Sequence, residues 1–211
     1  AYALIAYQTA YLKTYFKEDF IAATMSTELT NTSKLREFVE ELKRLKIDIV
    51  RPSINQSFAE FRAINGKIFY GLGAIKNVGF EAVSNIISER EKNGKFKSLG
   101  DFIERVNNKD INKLQLEGLT SAGAFDEFEK DRNKIFSSIP KIIQQIKNAN
   151  DDRESNQTNL FGNNVSISKN FEFIPATRWS PKELLNEEFK SLGFYISNHP
   201  LNEYVEIFHQ L

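Results

Sequence analysis

AIKNVGFEAVSNII (residues 74–87) and LEGLTSAGAFD (residues 116–126) decide how this chain folds. In the first, the turn Lys76-Asn77-Val78-Gly79 joins a short upstream helix to a longer one carrying Val83, Ile86 and Ile87 at helical spacing. In the second, Ser121-Ala122-Gly123 stands at the equivalent place after another short helix. Two glycine turns 44 residues apart, each in a helix pair, predict a tandem unit.

Such turns have the form of helix-hairpin-helix motifs, in which a Gly-apolar-Gly turn brings backbone N–H groups at a helix start close to a phosphate. That binding ignores base sequence. Here Asn77 and Ser121 replace the first glycine of each turn. Asn accepts a left-handed backbone and Ser does so poorly, so the first turn is the better phosphate contact. The alternative is that Gly79 and Gly123 only punctuate helices.

Charge adds local support. Residues 67–150 hold 14 Lys and Arg against 11 Asp and Glu, a net of +3 in a chain balanced at 28 against 28, so no whole-domain basic signature exists. The candidate phosphate-neutralising cations are Lys76, Lys95, Lys97, Lys113, Arg132 and Lys134, completing a DNA-binding set with Asn77, Val78, Gly79 and Gly123. Taken singly, each reads more readily as a solvated surface charge.

Outward from this centre the elements are mostly helical. AYALIAYQTAYLKTYF (residues 1–16) reads as helix from its first residues, with Leu4, Ile5, Tyr11, Leu12 and Phe16 near helical spacing. Asn31 or Thr32 caps a helix with Leu35, Phe38, Val39, Leu42 and Leu45 on one face. FAEFRAI, then Asn65-Gly66, then KIFYGL predicts a β-hairpin on a type I′ turn. Gly94 is placed to end the helix that follows Gly79, and Ser98 with Asp101 opens the next.

NANDDRESNQTNLFGNNVSISKN (residues 148–170) is too polar to bury a core and is expected to be a flexible linker. Gln157-Thr158-Asn159-Leu160-Phe161 stands within it. Leu160 and Phe161 have no core of their own there, so they read as anchors for an apolar pocket on a partner, with the Gln157 amide at its rim. The alternative is that both residues fold back onto the neighbouring helices.

The sequence also excludes chemistry. Cysteine is absent, so disulfides, thiolate metal sites and cysteine nucleophiles are ruled out, and His199 and His209 are the only imidazoles. No P-loop, GxSxG or metal-ligand spacing occurs. Asp151-Asp152, Glu127 with Glu129, and Glu187-Glu188 are paired carboxylates without a histidine partner and are expected to be solvated. No apolar run approaches the roughly 18 residues of a membrane helix. The absent initiator Met and the final YVEIFHQL, which stops inside an apolar-periodic stretch, suggest a piece of a longer protein.

Six runs carry a family resemblance: AYALIAYQTAYLKTYFKEDFIAA, YGLGAIKNVG, FKSLGDFIERV, LTSAGAFD, QTNLFG and LGFYISNHPLNEY. In this order and spacing the chain resembles bacterial DNA polymerase III alpha subunits, the family C replicative polymerases. The resemblance implies a mainly α fold, with fingers-end helices in residues 1–66 and a tandem helix-hairpin-helix, clamp-binding domain in 67–150. A linker with the clamp-binding peptide Gln157, Leu160 and Phe161 would occupy 151–175, and the lead into an OB domain 176–211. It implies a cytoplasmic DNA-directed DNA polymerase whose magnesium-binding aspartates lie before residue 1, so this segment would be inactive alone and hold no cofactor. Its partners would be double-stranded primer–template DNA, the beta sliding clamp and other holoenzyme subunits, with no membrane. The rival function is an architectural module that does not bind DNA.

Overall fold

A computed structural model describes residues 2–154, 171–198 and 200–201. The chain opens with α1 (Tyr2–Tyr15) and α2 (Lys17–Thr27), separated at Phe16, whose backbone (φ −130°, ψ 55°) leaves the helical region. Sequence periodicity predicts one helix to Phe16 and does not reveal that break. None of α1 is buried, whereas α2 buries Ile21, Ala22 and Met25.

α3 (Thr32–Leu45) starts where its polar cap directs. Asn31 Oδ1 accepts the Lys34 N–H at 3.2 Å, and Leu35, Val39 and Leu42 are buried along one face. Lys46 ends the helix in a left-handed conformation, φ 57°.

The expected β-hairpin forms and gains a third strand. β2 (Arg62–Ile64) and β3 (Lys67–Phe69) are antiparallel around Asn65 (φ 51°) and Gly66 (φ 74°), the two positive φ values a type I′ turn requires. Both strands are shorter than the alternating pattern suggests; Phe61 and Tyr70 at their outer ends are buried in the core, and the Tyr70 N–H donates to Val50 O at 3.1 Å. β1 (Ile49–Val50) pairs parallel to β3, so the strand order is β1-β3-β2. Two residues are too few to show a period in sequence.

The short helix expected before the first turn is a single 3₁₀ turn, Leu72–Ala74. It leads into α4 (Phe80–Asn93), α5 (Leu99–Arg105), α6 (Lys113–Ser121), α7 (Arg132–Glu154) and α8 (Pro181–Leu192). Gly94 follows α4 with φ 82° and ψ 174°, a positive-φ exit that is extended rather than left-handed helical. Ser98 Oγ accepts the Asp101 N–H at 3.1 Å, as the cap predicts. The Gly94–Lys97 loop is held by Arg105, which donates to Gly94 O at 2.8 Å, and by Asn55, which exchanges two hydrogen bonds with the Phe96 backbone.

A single apolar core joins these elements, from Met25 and Val39 through Tyr70, Phe102 and Phe125 to Ile142 and Phe194. Edge-to-face rings at 5.2 Å (Phe96–Phe102) and 5.1 Å (Phe102–Phe125) bind α5 to the segment after α6.

Two of the expected boundaries shift. The linker assigned to 151–175 begins inside α7, and its last residues lie along that helix: Phe171 and Phe173 pack on the core, and Ile174 N–H donates to Ser138 Oγ at 2.8 Å. Apolar residues at 171 and 173 are the physical reason, since they can bury what the preceding polar stretch cannot. Gln157, Leu160 and Phe161 lie outside the described residues, as do His199 and the segment from 202 onward.

Candidate nucleic-acid interface

The first turn is built from two buried anchors and an exposed loop. Ile75 and Val78 are 2% and 1% exposed, while Lys76, Asn77 and Gly79 face solvent. Asn77 adopts φ 64°, the left-handed conformation its side chain tolerates better than most, and Gly79 adopts φ 79° directly before α4. No side chain caps α4. Its start therefore presents backbone N–H groups and the positive end of the helix dipole beside the exposed turn.

Neighbouring elements fix this turn from beneath. Gln115 Nε2 donates to Val78 O at 2.8 Å, and Lys76 N–H donates to Ser191 O of α8 at 3.0 Å. A Cβ at Gly118 would stand 2.8 Å from Lys76 O, so only glycine lets α6 approach so closely. Beside the turn lies a groove of about 570 Å³ lined by residues including Thr32, Gly73, Gln115 and half-exposed Phe80. Lys76 has no carboxylate within ion-pairing distance among the described residues.

The second turn has a different construction. Ser121 is the last residue of α6 and is buried, Ala122 is right-handed, and Gly123 (φ 86°) closes the helix with its N–H on Thr120 O at 3.0 Å. A Cβ on Gly123 would collide with the guanidinium of Arg132. Arg132, expected as a phosphate-neutralising cation, is only 4% exposed. It donates to both Asp126 oxygens (2.8 and 2.6 Å) and to Ser121 O (2.9 Å), and it lies 3.7 Å from Glu188. Its three hydrogen bonds and its burial turn it into the protein, so neither Arg132 nor buried Gly123 is presented to a ligand.

The remaining cations are dispersed. Lys113 pairs with Glu117 at 3.7 Å next to the first turn, and Lys134 pairs with Glu129 at 3.5 Å beside the second. Lys95 and Lys97 are exposed on the loop at the other end of α4, about 20 Å from Gly79 at 1.5 Å per helical residue. The structure thus brings Lys76, Asn77 and Gly79 together along one groove, leaves Lys113 paired with Glu117 on the neighbouring helix, and places Lys95 and Lys97 at the far end of α4.

Of the carboxylates expected to be solvated, Glu188 is instead buried and structural. Glu188 is 2% exposed and accepts the N–H groups of Ile196 (2.7 Å) and Ser197 (2.9 Å) besides facing Arg132. Glu129 accepts the Asp131 N–H at 2.9 Å; that bond and Lys134 hold its carboxyl below the ordinary value of 4.5. Glu127 accepts from Asn55 at 3.2 Å, and Asp151 is exposed. Among the described residues no three acidic or histidine side chains converge as a metal site, and no helix is long and apolar enough to cross a membrane.

This arrangement of short helices around a glycine turn defines a helix-hairpin-helix protein, and residues 46–135 match the family model described as helix-hairpin-helix motif. The chain is 43% identical over 207 residues to DNA polymerase III subunit alpha of Borreliella burgdorferi, covering 97% of this chain and 18% of that protein. It is 38% identical over 205 residues to the Caulobacter vibrioides subunit and 40% over 214 residues to that of Neisseria meningitidis serogroup A, covering 97% and 100% of this chain. The chain belongs to the DNA polymerase III alpha-subunit family, and it spans about 18% of the length of these relatives.

Proposed function

We propose that this chain is the part of a replicative DNA-directed DNA polymerase that holds duplex DNA through its phosphates and tethers the enzyme to the beta sliding clamp. The observation that carries the first half is the exposed Lys76–Gly79 turn, whose left-handed Asn77 and uncapped following helix offer backbone donors and an ammonium with no ion-pair partner among the described residues. A phosphodiester accepts both kinds of donor whatever the base.

The tether is read from Gln157, Leu160 and Phe161, a pair of apolar anchors and an amide in a polar stretch. Linking clamp and duplex in one polypeptide slows dissociation through effective concentration, without a tighter active site. Nucleotide transfer, with magnesium ions stabilising attacking and leaving oxygens, is assigned to the longer protein. The proposal places that protein in the cytoplasm with the other holoenzyme subunits.

Titration of duplex affinity against salt tests the first half. A steep fall in log affinity with log salt is expected, and a flat response eliminates duplex binding. For the tether, replacing Leu160 and Phe161 together by alanine is expected to abolish clamp binding with helicity unchanged; undiminished binding removes the peptide as anchor.

A further inference from the structure

We infer that Gln115 is a positioning residue for the phosphate-binding turn, and that the second helix pair acts as its brace instead of as a second phosphate site. The inference rests on the duplex-binding reading above. Both ends of the Gln115 amide are engaged: Nε2 donates to Val78 O at 2.8 Å, and Oε1 accepts the Asn112 N–H at 2.7 Å. Asn112 Oδ1 in turn accepts the Gln115 N–H at 3.0 Å, completing a capping box at the start of α6. The side chain therefore cannot rotate away without unmaking the cap of its own helix.

What this holds is the direction of two peptide groups. Val78 O and the Gly79 N–H belong to one planar trans peptide and point opposite ways. Pinning the carbonyl on Gln115 therefore turns the Gly79 N–H away from α6. Two residues earlier, Lys76 O lies against Gly118 of α6, so the Asn77 N–H is likewise turned outward. Neither N–H donates to an acceptor among the described residues. Two donors two residues apart, with exposed Lys76 directly before the first of them in the chain, form a concave site for one phosphate.

The second pair cannot supply an equivalent site. Its glycine is buried beneath the Arg132 guanidinium, and its helix start contributes the Gln115 cap to the first turn. One of the two related units grips, and the other aims it.

Gln115→Leu keeps the volume and removes both hydrogen bonds. At fixed salt its duplex Kd is expected to rise about fivefold to tenfold, the equivalent of one hydrogen bond. The slope of log affinity against log salt should not change, because no cation is lost, whereas Lys76→Ala should lower that slope by about one. A purely structural role would lower the melting temperature and leave the affinity of the folded chain alone, which overturns the inference. Gln115→Asn, too short to reach Val78 O, provides a second variant if leucine disturbs α6, and the same loss is expected. Hydrogen exchange gives an independent readout, with faster exchange expected at the Val78 N–H and unchanged exchange in α5. Near-parental affinity in both variants while Lys76→Ala binds weakly overturns the inference and leaves the duplex reading standing. A parental chain with no salt-dependent binding overturns that reading itself.

Discussion

The two turns centred on Gly79 and Gly123 share a sequence pattern and differ in what their glycine faces. Gly79 is exposed, follows a left-handed Asn77 and opens an uncapped helix. Gly123 is buried, ends a helix and lies under a guanidinium already bound to Asp126 and the Ser121 carbonyl. The same punctuation thus yields a surface able to receive an anion at one place and a closed ion cluster at the other. The lesson is physical: a positive-φ glycine marks a close approach, and only the neighbouring side chains determine what approaches.

The largest expected effect attacks the closed turn. Arg132→Ala leaves Asp126 and buried Glu188 without their common partner, and unfolding by urea should show a loss of about 3–5 kcal/mol. Duplex affinity per folded molecule should be unchanged. Retained stability with lost salt dependence would reverse the roles of the two turns. Next, Gly118→Ala inserts a Cβ 2.8 Å from Lys76 O and 3.1 Å from Val78 Cγ2. Overpacking of this kind costs about 1–3 kcal/mol, and duplex binding should fall with it because the open turn must shift. Full-strength binding by Gly118→Ala would show that the spacing of α6 from the turn is immaterial.

A smaller effect separates the lysines. Lys76→Ala should weaken duplex binding for every sequence alike, and Lys134→Ala, whose ammonium already faces Glu129, should change it by less than about twofold. Equal losses in the two variants would make both turns phosphate contacts and end the contrast between them.

The residues themselves disclosed unequal parts of this picture. The cap at Asn31, the Asn65-Gly66 hairpin and the left-handed tolerance of Asn77 follow from local chemistry, and the structure realises each. Arg132 was unreadable because its burial depends on Asp126 and Glu188, residues 6 and 56 positions away, and an arginine at the start of a helix carries no mark of either. Glu188 was hidden for the same reason. Gln115 and Gly118 did leave signals: Asn112 followed by Gln115 is a capping-box spacing, and a glycine inside a helix hints at close packing. What neither signal named was the partner, since the Val78 carbonyl lies 37 residues earlier in the chain.

The smallest expected effect concerns acidity. Glu129 beside the closed turn has its carboxyl held below 4.5, first by the Asp131 N–H and then by Lys134. A depressed carboxyl contributes stability above its unfolded value, and that contribution disappears as pH falls through the folded value. Glu129 is largely solvated, so screening limits the amount to about a few tenths of a kcal/mol. Glu129→Gln should therefore flatten the acid limb of stability against pH slightly below 4.5 and leave it unaltered near neutrality. The open turn uses no carboxylate among its described contacts, so amide exchange at Val78 should not follow that limb. Parallel loss of protection at Val78 and at Asp131 on acidification would mean that the two turns open as one unit, and the brace would then transmit more than position.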